Sequence, residues 1–161
     1  MNKAYLLTGG NKGDRHSNLS RASELIKQQC GHIITHSSLY ETAAWGKTNQ
    51  PAFLNQALLV ETALDPAQLM HTLLDIEQQM GRVRQEKYGS RIIDIDILLF
   101  NHAILDTSLV RVPHPELQNR RFALVPLNEI AAQYEHPVLR QTIRSLLDNC
   151  KDLLPVNKID D

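Results

Sequence analysis

Apolar positions recur along the chain with two different periods. Residues 3–8 form a short apolar run, residues 32–40 alternate between two faces, and residues 53–62 are again rich in apolar and β-branched side chains, so each reads as a strand. Between the first two, Leu19, Ala22, Leu25 and Ile26 recur at helical spacing; Asp14 or Ser17 caps this helix, which runs to about Gln29 before Gly31 stops it. A second helical stripe of Leu69, Leu73, Ile76 and Met80 opens at Asp65-Pro66, with proline at a first-turn position it tolerates, and ends at Gly81. The run Arg91-Ile92-Ile93-Asp94-Ile95-Asp96-Ile97-Leu98-Leu99-Phe100 is a fourth strand, and helices are expected near residues 124–132 and 138–149. Strand, helix, strand, strand, helix, strand is the order of a ferredoxin-like βαββαβ sandwich: an α+β fold whose antiparallel sheet has helices packed on it, here with C-terminal helices added. One sheet face is then expected to stay open for a ligand. With no linker, repeat or low-complexity segment, residues 1–161 are expected to form a single domain.

Two segments break the pattern. Gly9-Gly10-Asn11-Lys12-Gly13 reads as a tight strand-to-helix turn; its leading glycines also suit a phosphate cradle, but neither the dinucleotide fingerprint nor the P-loop lysine-hydroxyl pair is present. Residues 41–52 form a loop of about a dozen residues, long for a compact domain and therefore a functional candidate. It holds the only tryptophan, Trp45.

The chemistry concentrates on the fourth strand. Successive side chains on a strand point to opposite faces, so Ile93, Ile95, Ile97 and Leu99 line one side, and Ile92, Asp94, Asp96, Leu98 and Phe100 the other. Both acids share a face, their Cα atoms roughly 6.5–7 Å apart. Two carboxylates on an apolar strand need a positive partner. Mg²⁺ suits them, since it takes one or two protein carboxylates and completes its octahedron with water and phosphate. An Asp-x-Asp on an edge strand can also be a solvated face that discourages edge pairing. The preceding residues favour the metal: Gly81-Arg82-Val83-Arg84-Gln85-Glu86-Lys87-Tyr88-Gly89-Ser90 and Arg91 put four cations in a glycine-bounded loop just ahead of the acids. A basic loop feeding an acidic strand is what a polyphosphate site requires.

Composition narrows the partners. The net charge is −1 and the pI about 6.6, so there is no global basic field and a nucleic-acid partner is not expected. Cys30 and Cys150 lack any metal-ligand spacing and read as reduced thiols, which points to the cytoplasm. No segment has the length of a membrane span or a signal-peptide core.

Five blocks in order, Ser38-x-Tyr40-x-Thr42, Gln50-Pro51-x-Phe53-x-Asn55, Glu77-x-x-x-Gly81-Arg82-x-Arg84, Arg91-x-x-Asp94-x-Asp96-Ile97-x-x-Phe100 and Val112-Pro113-His114-x-x-x-x-x-Arg120-x-Phe122, resemble the 6-hydroxymethyl-7,8-dihydropterin pyrophosphokinases of the folate pathway. The resemblance covers nearly the whole chain. It implies transfer of the pyrophosphoryl group of ATP, as co-substrate, to the hydroxymethyl oxygen of the reduced pterin. It further implies that Asp94 and Asp96 bind two Mg²⁺ ions, that Arg82 and Arg91 act in catalysis, and that Glu77, Arg84, Arg91, Ile97, His114 and Arg120 hold the nucleotide. For the pterin it implies Phe53 and Phe122 as a sandwich, Asn55 on the amide edge, and Thr42, Ala44 and Trp45 around the pocket. A monomer working on small molecules is expected. The chain departs from the family pattern at Ala43-Ala44, where prolines are common, at Phe53 for tyrosine and at Tyr88 for tryptophan.

Rival functions on the same topology fit less well. An RNA-recognition module needs stacking aromatics on its central strands and a basic face, where two aspartates repel phosphate. A regulatory amino-acid-binding domain needs neither the acids nor the arginines. A nucleotidyltransferase expects a Gly-Ser turn further upstream than Gly89-Ser90 lies from Asp94.

Overall fold

A computed structural model describes residues 1–44, 50–81 and 91–159. It contains β1 (Asn2–Gly10), α1 (Arg15–Gln29), β2 (Gly31–His36), β3 (Leu39–Thr42), β4 (Phe53–Thr62), α2 (Pro66–Gln79) and β5 (Asp94–Phe100), then the ribbon β6 (Leu105–Asp106) and β7 (Arg111–Val112), a 3-10 turn (Leu117–Asn119), α3 (Arg121–Ala131), α4 (Ile143–Asp148) and β8 (Val156–Ile159). The sheet runs β5-β1-β4-β3-β8, with β2 also paired to β4, and every pair is antiparallel. This is the ferredoxin-like α+β sandwich with β8 added outside β3.

Helices α1 and α2 begin where the sequence supplies caps. Asp14 accepts the Ser17 N–H at 3.1 Å, so Asp14 and not Ser17 starts α1. Asp65 and Gln68 close a reciprocal capping box on α2. Leu19, Ala22 and Ile26 of α1 and Leu69, Leu73 and Ile76 of α2 are buried against Ala4, Leu6, Leu54, Leu58, Ile95 and Ile97 on one sheet face. Among the described residues no helix is long and apolar enough to cross a membrane.

Several expectations need correction. Residues 32–40 are two strands: the Ser37 hydroxyl accepts the Ala57 N–H at 2.9 Å, so a side chain replaces a rung and the chain bends without leaving β4. Gly9 and Gly10 are the last residues of β1, not a turn. In β5, Tyr5 pairs Leu99 while Leu6 pairs Ile97, so Leu98 is the extra residue of a bulge and the alternation reverses beyond it. Leu99 therefore joins the face of the two aspartates and Phe100 packs on the α1/α2 face. Finally, the second face is open only in part. Tyr5, Leu7, Leu98 and Leu99 make its far end apolar, and α3 and α4 cover them with Ala123, Leu124, Leu127, Ile143 and Leu146. α3 starts at Arg121, earlier than its periodicity suggested, and α4 is confined to six residues capped by Thr142.

Candidate functional site

The sheet register lines up the candidate residues on the part of the second face beyond α3. Asp94 opposes Gly9, Gly9 opposes Asn55, and Asn55 opposes Tyr40. Directly opposed residues share a face. Asp96 stands opposite Leu7, and Phe53 stands opposite Thr42. Two strand spacings, roughly 10 Å, separate the backbones of Asp94 and Asn55.

At the acidic end, the Arg91 guanidinium donates to Asp94 Oδ2 at 2.9 Å, with the two side chains 27% and 25% exposed. Glu77, reaching from α2, is buried and accepts the Ile95 backbone N–H at 2.7 Å, which fixes β5 between its two aspartates. Asp96, Ile97 and His114 line a cavity of about 210 Å³ with Met70, Val110 and Arg111. The Glu116 N–H donates to His114 Nδ1 at 3.1 Å, so the ring proton sits on Nε2. Burial, reinforced by the Arg120 guanidinium and opposed by Glu116, pushes the His114 pKa down to about 4. His114 is thus a neutral N–H donor at physiological pH.

Whether Mg²⁺ fits is decided by the donor set. Asp94 and Asp96 are partly exposed oxygen donors on one face, and among the described residues no cluster of three or more His, Cys, Asp or Glu side chains exists. An ion needing a full protein cage is not accommodated; one completed by water and phosphate oxygens is.

At the other end, Asn55 and Thr42 are 5% and 6% exposed, and the Thr42 hydroxyl has no hydrogen-bond partner among the described residues. Phe53 and Phe122 are half-buried, and the Arg120 guanidinium lies 5.7 Å from the Phe122 ring centre. Ala44 closes the described part of that loop. A larger, half-open hollow of about 440 Å³ lies between Arg121 and the segment from Asp152 to Asn157. It holds neither Asp94 nor Asp96, and its Val156 is the register partner of Thr42. Trp45, Arg82 and Arg84 lie outside the described residues.

Three groups escaped the sequence reading. Asn11, 1% exposed, accepts the Arg91 N–H at 2.8 Å and donates to Gln50 Oε1 at 3.2 Å and to the Pro51 carbonyl at 3.0 Å. One carboxamide thereby ties together the ends of both loops that the sequence singled out. Tyr40 donates to Glu129 of α3 at 2.5 Å, and the Ser38 N–H and hydroxyl donate to the other oxygen of that carboxylate. Val110 and Arg111 line the cavity beside Asp96 from the β6–β7 ribbon, a segment whose two-residue strands carry no periodic signal.

A family model described as 7,8-dihydro-6-hydroxymethylpterin-pyrophosphokinase (HPPK) matches residues 5–132. The 2-amino-4-hydroxy-6-hydroxymethyldihydropteridine pyrophosphokinase of Bacillus subtilis (strain 168) is 42% identical over 135 residues, covering 83% of this chain and 81% of that protein. The identically named protein of Aquifex aeolicus (strain VF5) is 40% identical over 144 residues, 89% of each chain. Among solved structures, wild-type Plasmodium falciparum HPPK-DHPS with pteroate matches at a TM-score of 0.74 and 20% identity, over 91% of this chain, and speaks to the fold alone. This chain spans 42% of that longer one. Family match, relatives and fold agree, and the chain belongs to the 7,8-dihydro-6-hydroxymethylpterin pyrophosphokinase family.

Proposed function

We propose that the chain transfers the pyrophosphoryl group of ATP to the hydroxymethyl oxygen of 6-hydroxymethyl-7,8-dihydropterin, giving AMP and the pterin diphosphate in folate biosynthesis. The observation that carries the residue assignment is the row across the sheet, with metal-type carboxylates at one end and a buried carboxamide at the other on the same face. Asp94 and Asp96 would hold two Mg²⁺ ions, which supply Lewis-acid neutralisation of the triphosphate oxygens. His114 donates through Nε2–H to a phosphate oxygen without adding charge of its own. Arg120 and Arg91 offer guanidinium forks to the phosphates, Arg91 by exchanging Asp94 for substrate. Asn55 pairs with the amide edge of the pterin, and Phe53 and Phe122 stack on its ring.

With both substrates held in line, the hydroxymethyl oxygen attacks the β-phosphorus. The new O–P bond replaces the bridge to the α-phosphate, AMP leaves with the bridging oxygen, and the hydroxyl proton passes to solvent. Positioning and electrostatics suffice, and no side chain forms a covalent bond. A reducing cytoplasm fits the free thiols of Cys30 and Cys150. The test is incubation with ATP, Mg²⁺ and the reduced hydroxymethylpterin. AMP and pterin diphosphate should form one to one; ADP with a pterin monophosphate, or no turnover, would overturn the assignment.

A further inference from the structure

The two glycines that close β1 have no part in the chemistry above, yet one of them, Gly9, sits in the middle of the row. Gly10 faces backbone: a Cβ there would lie 2.3 Å from the Ile92 carbonyl oxygen. Gly9 faces a side chain. A Cβ on Gly9 would lie 2.0 Å from Asn55 Oδ1, a distance that real Cβ atoms do not reach, with Asn55 Cγ at 3.0 Å and the Leu54 carbonyl oxygen at 3.2 Å as tight but lesser contacts. The carboxamide of Asn55 therefore lies across the bare Cα of Gly9.

The other neighbours explain why it lies there. On its far side Asn55 opposes Tyr40, whose ring is fixed by the 2.5 Å hydrogen bond of its hydroxyl to Glu129. The strand beyond Gly9 brings Asp94. Asn55 is 95% buried, since only 5% is exposed.

We infer that Gly9 is a specificity-determining position for the heterocycle: its missing side chain is the seat that holds the Asn55 carboxamide between Tyr40 and Asp94, aimed at the substrate's amide edge. This rests on the reading of Asn55 as a pterin ligand. Gly9 is a positioning residue, acting wholly through Asn55, and touches neither the metals nor ATP. Any side chain at position 9 turns the carboxamide out of its seat, so the heterocycle loses its polar contact while the phosphate end stays intact.

The experiment is a double-mutant cycle on binding of the reduced hydroxymethylpterin in the presence of Mg²⁺ and a non-hydrolysable ATP analogue, with analogue affinity measured separately. Asn55→Ala should weaken pterin binding by about tenfold to a hundredfold, the effect of one or two lost hydrogen bonds. Gly9→Ala should produce a similar loss with analogue affinity within about twofold of the parent. The double variant Gly9→Ala/Asn55→Ala removes the two closest atoms, leaving the Leu54 carbonyl oxygen at 3.2 Å, and so remains measurable even where the single Gly9 variant folds poorly. It should bind pterin as Asn55→Ala alone does. A double variant much weaker than Asn55→Ala, or a folded Gly9→Ala binding pterin like the parent, would overturn the role of Gly9 while leaving Asn55 as a ligand. Unchanged pterin binding by Asn55→Ala would remove Asn55 from the site and the inference with it.

Discussion

Asp94 and Asp96 differ in what balances them. Asp94 has the Arg91 guanidinium at 2.9 Å, while Asp96 lines the cavity beside His114. A partly exposed ion pair of this kind contributes about 0–1 kcal/mol, so a divalent cation with its phosphates readily exchanges for it. Asp94→Asn or Asp96→Asn keeps shape and removes one charge; turnover should drop by about a hundredfold or more in a steady-state assay, with pterin affinity far less affected. Near-normal rates for either variant would rule out the two-metal assignment. Arg91→Ala should depress kcat more than it raises the KM for ATP, since the backbone of residue 91 is fixed independently by Asn11. An effect on KM alone would make Arg91 a ground-state binder only. His114, held at about 4, does not titrate between pH 5 and 8. The kcat/KM profile of His114→Ala should therefore be lower than the parent's but of the same shape, and a parental limb near pH 6.5 that disappears in the variant would show the imidazole changing charge.

Elements were legible where one physical signal decided them, and illegible where two competed. α1 and α2 have caps, stripes and stops that agree, and the alternating strand pattern placed both aspartates on one face. The bulge at Leu98 is invisible in that pattern because Leu98, Leu99 and Phe100 are all apolar, so either face accepts any of them. α3 and α4 appeared as helices, but their partner surface came from residues of β1 and β5 read as strand interior. Asn11 looked like turn punctuation; its value lies in contacts to Arg91, Gln50 and Pro51, at sequence separations no local pattern carries. Asn11→Ala leaves the Arg91 N–H without this acceptor and should cost about 1–3 kcal/mol in urea unfolding. A variant as stable as the parent would show that the loop ends hold themselves. The clasp between Tyr40, Ser38 and Glu129 works at the same scale, holding β3 against α3. Burial and then the Glu129 contact raise the Tyr40 phenol to about 12. For Glu129, burial alone would raise the carboxyl, but the bonds from Tyr40 and Ser38 together with Lys158 outweigh it and hold it below the usual range. Tyr40→Phe should weaken the docking of β3 and move the Glu129 carboxyl back toward its ordinary pKa, measurable by carboxyl-carbon NMR titration.

Across the whole molecule, two apolar clusters share a single sheet: one under α1 and α2, the other under α3 and α4. β1 contributes Ala4 and Leu6 to the first and Leu7 to the second, so neither cluster opens without disturbing the other. That coupling makes local titrations visible in global stability. Two imidazoles have folded pKa values below their ordinary one. His114 is pushed to about 4, and His136, 4% exposed and accepting the Val138 and Leu139 N–H groups at 3.2 and 3.0 Å, is lowered by burial. The unfolded chain protonates each near pH 6.5, while the folded chain does so only at lower pH, so their contribution is complete above pH 6.5 and declines as pH falls toward the folded values. For His114 the full loss by pH 4 is at most roughly 3 kcal/mol. The Glu129 carboxylate has a lowered folded pKa as well; its contribution is present above about pH 4.5 and is lost only below that. Stability should therefore be flat from pH 7 to 8 and fall in two stages on acidification, imidazoles first. Urea midpoints at pH 7.5, 5.5 and 4 measure the fall. Ring-proton NMR identifies its source: of the seven histidines, His114 should still show a neutral shift at pH 5.5, where a free imidazole is mostly charged, and His136 should titrate below its ordinary value. Titration of both near pH 6.5 would sink the two-stage account, and His136→Asn, whose side-chain oxygen can accept the same two N–H groups, should remove its share of the decline between pH 7.5 and 5.5 while leaving stability at pH 7.5 within about 1 kcal/mol of the parent.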